Sequence, residues 1–260
     1  MKISLITACF RSAGTLRTAL DSVLEQKGVD LDYIVVDGGS DDGTVELLKE
    51  YEARFAGRMR WISEKDSGMY DAINKGIKMA TGDVVGILNA DDMFESDETL
   101  AHVVDSFYRV DCVERVDAVY ADIRFVKDDL QTTSRYYSAK RWKPWMLQWG
   151  KMPPHPSVYI RRDLFEKYGF YKLGYDIAAD YELLIRYLRM AKLNTRYLNE
   201  CVVRMRMGGK STRGWQSNLK LNQEIVRANR ENGYYCCLPM LLPKYLFKIF
   251  EFILPRLGFK

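Results

Sequence analysis

Four short apolar runs pace the first 92 residues: ISLITACF (3–10), LDYIVVDGGS (31–40), MRWISE (59–64) and GDVVGILNADD (82–92). Between them lie TLRTALDSVLEQ (15–26), DGTVELLKEYEARFA (42–56) and MYDAINKGIKMA (69–80). In the first of these, Leu16, Ala19, Leu20, Val23 and Leu24 recur at helical spacing, and Gly28 closes the segment. Thr44 stands where the N-cap of the second belongs. Strand and helix in strict alternation predict an α/β chain with a parallel, doubly wound sheet. Ligands of open α/β sheets bind at the carboxyl ends of the strands. Three of those ends carry acids: Asp37, Glu64 and the pair Asp91–Asp92.

A chain of 260 residues with 47% apolar content can bury a substantial core. It suits one large α/β domain over 1–215, made of an acidic first half (1–130) and a second half (131–215). A helical extension over 216–260 completes the expected organisation. The five cysteines are odd in number and include no C-x-x-C pair. The apolar run in MKISLITACF is too short for a secretory signal. Reduced thiols in a cytoplasmic protein are therefore expected. No apolar run reaches the roughly 18 residues of a membrane span.

Charge is divided unevenly. Residues 1–130 hold 15 Lys and Arg against 26 Asp and Glu, and residues 131–260 hold 24 against 9. The acidic half calls for cations, and the basic half for anions or a membrane surface. Ordinary solvated faces are the plainer explanation. No nucleic-acid partner is expected.

The second half is less regular. VDAVYADIRFV (116–126) reads as a strand. Residues 135–165 are aromatic and basic, and Pro153, Pro154 and Pro156 break any helix there. DYELLIRYLRMA (180–191) reads as a helix opening on Asp180. GGKSTRGW (208–215) reads as a loop, and SNLKLNQEIVRANREN (217–232) as an exposed helix.

The stretch VVGILNADDMF (84–94) raises the sharpest chemical question. A buried strand ending on two adjacent carboxylates must place their charge, because like charges repel and an unpaired charge at a core edge is costly. A divalent cation with oxygen ligands would meet that demand, since Mg²⁺ and Mn²⁺ need only one or two protein carboxylates alongside phosphates. A strand-terminating Asp-Asp turn is the structural alternative.

Five motifs carry a resemblance: VVDGGSDDGT (35–44), SEKDSGMYDAINKGI (63–77), GILNADDMF (86–94), HPSVYIRRDLF (155–165) and AADYELLIR (178–186). In this order they resemble the inverting, family-2 nucleotide-sugar glycosyltransferases of GT-A fold, notably bacterial enzymes of O-antigen and surface-polysaccharide assembly. The resemblance implies a Rossmann-like, mostly parallel sheet flanked by helices, a nucleoside-diphosphate sugar donor and Mn²⁺ or Mg²⁺. It implies that Asp92 ligates the metal and that Asp91 contacts the ribose, the metal or both. It places Asp37 on the uracil ring, Thr7 and Phe10 by the base, and Asp66, Gly68, Asn74 and Lys75 in the donor loop. Where the family often has Thr-x-x-Tyr-Asn, this chain has Thr7-Ala8-Cys9-Phe10-Arg11, so Phe10 can stack but carries no hydroxyl. Asp180 matches the general base of a single displacement. His155, Tyr181 and Lys210 fall near the acceptor and diphosphate.

Each of these has a structural alternative: helix caps for Asp180, Ser40 and Asp41, an i,i+4 pair for Asp71 and Lys75, packing for His155 and a basic turn for Lys210. The tail YYCCLPMLLPKYLFKIFEFILPRLGFK (234–260) mixes Phe247, Phe250, Ile253 and Leu254 with cations. That pattern suits an interfacial helix on an anionic leaflet, or else a docked helix or dimer contact. A polyprenyl-linked saccharide acceptor, and an enzyme peripheral to the inner face of the cell membrane, would follow. A non-catalytic nucleotide-sugar binder is the first rival. A sugar-phosphate nucleotidyltransferase is the second, disfavoured because TACFRSAGT is no Gly-rich, Arg-containing loop.

Overall fold

The computed structural model describes residues 1–108, 115–207 and 214–245, with side chains from 217 onward in the last segment. The expected alternation is present: β1 (Lys2–Cys9), α1 (Leu16–Leu24), β2 (Asp30–Asp37), α2 (Thr44–Arg54), β3 (Met59–Ser63), α3 (Met69–Met79) and β4 (Val84–Ile87). There follow β5 (Met93–Phe94), α4 (Thr99–Tyr108), β6 (Ala118–Val126), β7 (Thr133–Tyr137) and β8 (Tyr159–Arg161). Last come α5 (Asp163–Tyr168), α6 (Ala179–Leu184), β9 (Thr195–Arg206) and α7 (Gly214–Glu231). One sheet runs β3-β2-β1-β4-β8-β6-β9-β5, with β7 added on β6. The quartet β3-β2-β1-β4 is parallel throughout. The other half is mixed: β6 and β9 are parallel, while β5, β7 and β8 pair antiparallel.

Side chains on a strand alternate between faces, and β2 divides accordingly. Leu31, Tyr33 and Val35 join the core beneath α1, α2 and α4. Ile34 and Val36 join the opposite core with Tyr70, Ile73 and Ile77 of α3 and residues of α6 and α7. Helix α3 lies very close to β1, because Gly76 has no side chain. A Cβ there would sit 2.5 Å from Ile6 Cγ2.

Four expectations need correction. The run 82–92 is not one strand: β4 stops at Ile87, and after a turn β5 pairs with distant β9. Thr44 is the first helical residue rather than the cap. Gly43 precedes it at φ 97°, and the Thr44 hydroxyl donates to Asp42 (2.6 Å) and accepts from the Ser12 amide (2.9 Å). Helix α7 is not exposed all round, since Glu224, Ile225, Val226, Ala228, Asn229 and Asn232 are buried. Its span Gly214–Glu231 also carries it across the boundary expected at 215/216. Ile225, Val226 and Ala228 belong to the α3 and α6 core, as do Cys236 and Leu241.

Cys9, Cys201, Cys236 and Cys237 are free thiols. No helix of the described residues is long and apolar enough to cross a membrane.

Gly76→Ala is expected to destabilise the fold by about 1–3 kcal/mol through overpacking, and Ile6→Ala in the same chain should recover part of that loss. Urea denaturation of both variants measures it; an unchanged midpoint in Gly76→Ala would refute the close packing of α3 on β1.

Candidate active site

The acidic turn is built by β4, β5 and β9. The Asp92 amide donates to Asn89 O (3.1 Å), and Asn89 Nδ2 donates to Asp92 Oδ2 (2.7 Å). β5 then pairs Met93 with Arg204 and Phe94 with Val203. Glu95 holds both strands, accepting from Arg124 Nε (2.7 Å) and Arg204 Nε (3.2 Å). At the end of β9, Arg206 donates to Asp91 O (3.2 Å) and Thr18 Oγ1 (2.9 Å). Asp92 is 1% exposed, and Asp91 is half-buried.

Burial pushes the Asp92 carboxyl well above the usual carboxylate range, and the Asp91 charge adds to it. Asn89 and Arg206 offset only part of this. The donor set fits a divalent cation. It is all hard oxygen, its two carboxylates stand side by side, and the ionised form of Asp92 is short of positive charge. Two carboxylates are no complete shell, so a ligand's phosphates would have to supply the rest.

Phe10, Gly38 and Asp66 meet at the ends of β1 and β2. A Cβ on Gly38 would lie 2.7 Å from Asp66 Oδ2 and 3.3 Å from the Phe10 ring. Phe10 is 57% exposed, and the Arg11 guanidinium stands over its ring at 5.5 Å. Asp66 Oδ1 accepts from the Gly68 amide (2.8 Å), fixing the start of α3. Asp37 is fully buried. It accepts from the Gly39 and Ser40 amides (3.1 and 2.9 Å) and from the Ser40 and Ser63 hydroxyls (2.5 and 2.6 Å). Its lone pairs are committed to the turn that shapes the recess. The Thr7 hydroxyl is likewise buried, donating to Leu88 O (2.8 Å) and accepting from Tyr33 (3.0 Å).

The third group lies where α3 meets α6. Tyr70 OH donates to Ile177 O (2.5 Å) and stands 3.4 Å from Asp180 Oδ1. Tyr70 stacks on Tyr171 at 5.8 Å between centroids, and the Tyr171 hydroxyl meets His155 Nε2 at 2.7 Å. Asn74 is a brace here: its amide clasps both backbone atoms of Tyr171 (2.8 and 3.0 Å). Lys75 sits on Glu64 (2.8 Å) and the Lys65 carbonyl (3.1 Å), with Asp71 looser at 3.9 Å. Tyr181 points away from Asp180 into the α7 interface, beside Asn229 (3.4 Å). Lys210 lies outside the described residues.

Asp180 is the second residue of α6; it accepts from the Tyr181 amide at 2.7 Å and, more loosely, from the Tyr70 hydroxyl at 3.4 Å. Glu224 of α7 caps the approach to α6 instead, accepting from the amides of Asp176, Ile177 and Ala178 (3.0, 3.0 and 2.8 Å). Burial raises the Asp180 carboxyl above its ordinary value; His155, the Tyr181 amide and Tyr70 counter this only partly. Burial lowers His155, which is held neutral at pH 7.

Other enclosed acids behave in the opposite way. Burial alone would raise Asp32, Glu95 and Glu182. Ser4, Arg60 and Thr81 outweigh it at Asp32, Arg124 and Arg204 at Glu95, and Arg186, Lys172 and Asn232 at Glu182, so each is held low. Among the described residues, Asp92 and Asp180 are the carboxyls pushed upward. Such groups mark functional sites when they line a recess.

Residues 4–169 match the family described as glycosyl transferase family 2. The chain belongs to that family. This family-2 glycosyltransferase is 30% identical over 199 residues to a PGL/p-HBAD biosynthesis glycosyltransferase of Mycobacterium tuberculosis, covering 76% of this chain and 74% of the relative. A second M. tuberculosis protein, an uncharacterized glycosyltransferase, is 32% identical over 185 residues (71% and 68% covered). Among solved structures, S. aureus TarS 1-349 in complex with UDP-GlcNAc superposes with TM-score 0.64 at 17% identity, over 88% of this chain and 66% of that one. The chain spans 39% of the longer TarS structure. The mannosyltransferase PcManGT from Pyrobaculum calidifontis, in complex with GDP-Man and Mn²⁺, gives 0.64 at 21% identity (88% and 63%). At these identities the likeness shows the fold: the glycosyltransferase has the GT-A architecture.

Sequence reasoning missed Arg206, Tyr171 and Glu224. The alternating VVRMRM before GGKST was a readable sign of the strand that delivers Arg206. Tyr171 and Glu224 act through tertiary contacts that no local pattern announces.

Because the folded Asp92 carboxyl is raised, the metal-free fold loses stability as pH climbs from the ordinary carboxylate range through that raised value. Asp92→Asn removes this penalty and should stabilise the metal-free protein by on the order of 1 kcal/mol at neutral pH. Urea unfolding in chelator checks it; a clear destabilisation would show that ionised Asp92 is already compensated.

Proposed function

We propose that this glycosyltransferase moves a hexosyl or N-acetylhexosaminyl group from a nucleoside-diphosphate sugar, UDP-linked by preference, to a saccharide hydroxyl, with inversion. The acceptor is carried on a polyprenyl lipid in bacterial surface-polysaccharide assembly, such as that of O-antigen, at the inner face of the cell membrane. The observation that carries this reading is the pair of raised carboxyls, Asp92 and Asp180, in a fold whose other enclosed acids are satisfied. At each of them burial outweighs the donors that the chain supplies.

The donor base stacks on Phe10, beside Gly38 and Asp66. Asp91 and Asp92 would hold Mn²⁺ or Mg²⁺, which when bound would supply charge neutralisation for the departing diphosphate. Arg206 keeps the acidic turn in place through Asp91 O. Asp180 accepts the proton of the acceptor hydroxyl. The acceptor oxygen bonds to the anomeric carbon on the face opposite the diphosphate, and the bond to the β-phosphate oxygen breaks. A single base suffices for inversion, unlike the two-carboxylate arrangement of a retaining hydrolase. The raised Asp180 strengthens the base, and neutral His155 beside Tyr171 adds no competing positive charge. Support for a nucleotide-sugar donor comes from the two GT-A relatives, one crystallised with UDP-GlcNAc and the other with GDP-Man and Mn²⁺. Support for a lipid-borne acceptor comes from the basic half of the chain and from the mycobacterial PGL relatives.

Thermal unfolding with UDP, GDP, CMP, dTDP and ADP, with and without Mn²⁺, tests the donor. A ligand at 100 times its Kd stabilises by about 2.7 kcal/mol, which is several degrees for a chain of this size. The expected result is a Mn²⁺-dependent shift with UDP that Asp92→Asn abolishes. No shift with any nucleotide overturns the donor reading.

Asp180→Asn should keep the UDP shift and lower transfer by about 10²-fold or more. In the wild type, transfer should rise with pH through the raised Asp180 value, because only the ionised carboxylate accepts the proton. Wild-type turnover in Asp180→Asn refutes the base assignment.

A further inference from the structure

Two short turns on the basic half together form an exposed aromatic surface. Pro144–Trp149 and Leu238–Leu241 are each 3-10 helical. Gln148 ties them together. Its Nε2 donates to Tyr235 O (2.7 Å), and its carbonyl accepts from Cys236 Sγ (3.5 Å). Its side-chain oxygen is in turn held by Arg189 Nη2 (2.7 Å). Gly150 abuts the second turn, since a Cβ there would lie 3.0 Å from Leu241 Cδ2.

The surface these turns present is apolar. Trp145 is 56% exposed, Trp149 41%, Tyr235 72%, Leu238 45% and Leu242 63%. Scattered exposed hydrophobics need no explanation, but a contiguous group marks an interaction surface. Lys140, Arg141 and Lys143 are exposed just ahead of the first turn. No acidic residue occurs between Asp129 and Asp163, or between Glu231 and Glu251. Indole rings beside Lys and Arg, with no carboxylate among them, match the chemistry of an anionic lipid headgroup layer. Five residues separate Trp149 from His155, a reach of at most about 22 Å. The surface therefore lies close to the group around Asp180.

We propose that this surface seats on an anionic lipid leaflet. Trp145 and Trp149 enter the headgroup region, and Lys140, Arg141 and Lys143 engage lipid phosphates. A lipid-linked acceptor then meets Asp180 without leaving the membrane. The inference rests on the reading of the acceptor as lipid-borne, and it names the two turns rather than the far tail as the contact.

The test is co-sedimentation of the full chain with phosphatidylglycerol-containing vesicles and with pure phosphatidylcholine vesicles. The wild type is expected to bind the anionic vesicles selectively. Both Trp145→Ser/Trp149→Ser and Lys140→Glu/Arg141→Glu/Lys143→Glu should weaken that binding at least about tenfold. Their UDP and Mn²⁺ thermal shift should stay at the wild-type value, which also reports that they fold. Three results overturn the proposal. The first is a wild type that binds no anionic vesicle, which leaves the surface to a protein partner. The second is a tryptophan variant that binds like wild type. The third is binding abolished by removing residues 246–260 yet retained by the tryptophan variant. A wild type that binds vesicles but shifts with no nucleotide leaves this surface standing while the donor reading fails.

Discussion

A carboxylate taken out of water needs donors or a cation, and the rest of this molecule is arranged around that demand. Asp32 has Ser4, Arg60 and Thr81; Glu182 has Arg186, Lys172 and Asn232; Glu224 has three backbone amides. These satisfied acids lock strands to helices and loops to α6. Asp92 has the Asn89 amide, and Asp180 has the Tyr181 amide and the Tyr70 hydroxyl, and these offset burial only in part.

The sheet and α3 set the surroundings of both groups. The parallel quartet puts the ends of β1, β2, β3 and β4 on one edge. From there Phe10, Gly38 and Asp66 lead through Gly68 to Tyr70, and Tyr70 reaches Asp180. On the other side, the turn after β4 is pinned by the antiparallel pairing of β5 with β9. The first four strands and the second half of the chain are thus joined by the first turn of α3 and by one long strand.

Much of the first half was legible in the sequence because parallel strands between amphipathic helices write a clear local pattern. β1 to β4 and α1 to α3 fall close to their expected places. The second half resists because its strands are set by partners rather than by periodicity. β9 is only partly buried, and β8 is three residues long. Residue roles split the same way. Phe10 and Asp66 meet beside Gly38, Asp91 and Asp92 share the turn after β4, and Asp180 lies in the first turn of α6 beside Tyr70. Thr7, Asp37 and Asn74 have their polar atoms engaged by protein, and Tyr181 faces α7. Motif spacing locates a residue along the chain, but a hydrogen-bond partner distant in sequence decides which way its side chain is spent.

The Glu224 clasp bears on how such an enzyme can change over time. Helix α7 reaches back across 46 to 48 residues to grip the amides that lead into Asp180. It also binds forward, through Asn222, to Tyr245 and Lys244. The C-terminal segment is therefore no interchangeable module. A recombination event that exchanged it would unseat the backbone before the base. Lineages that exchange the C-terminal segment must keep α7 with the residues before it, or re-evolve an acid at position 224.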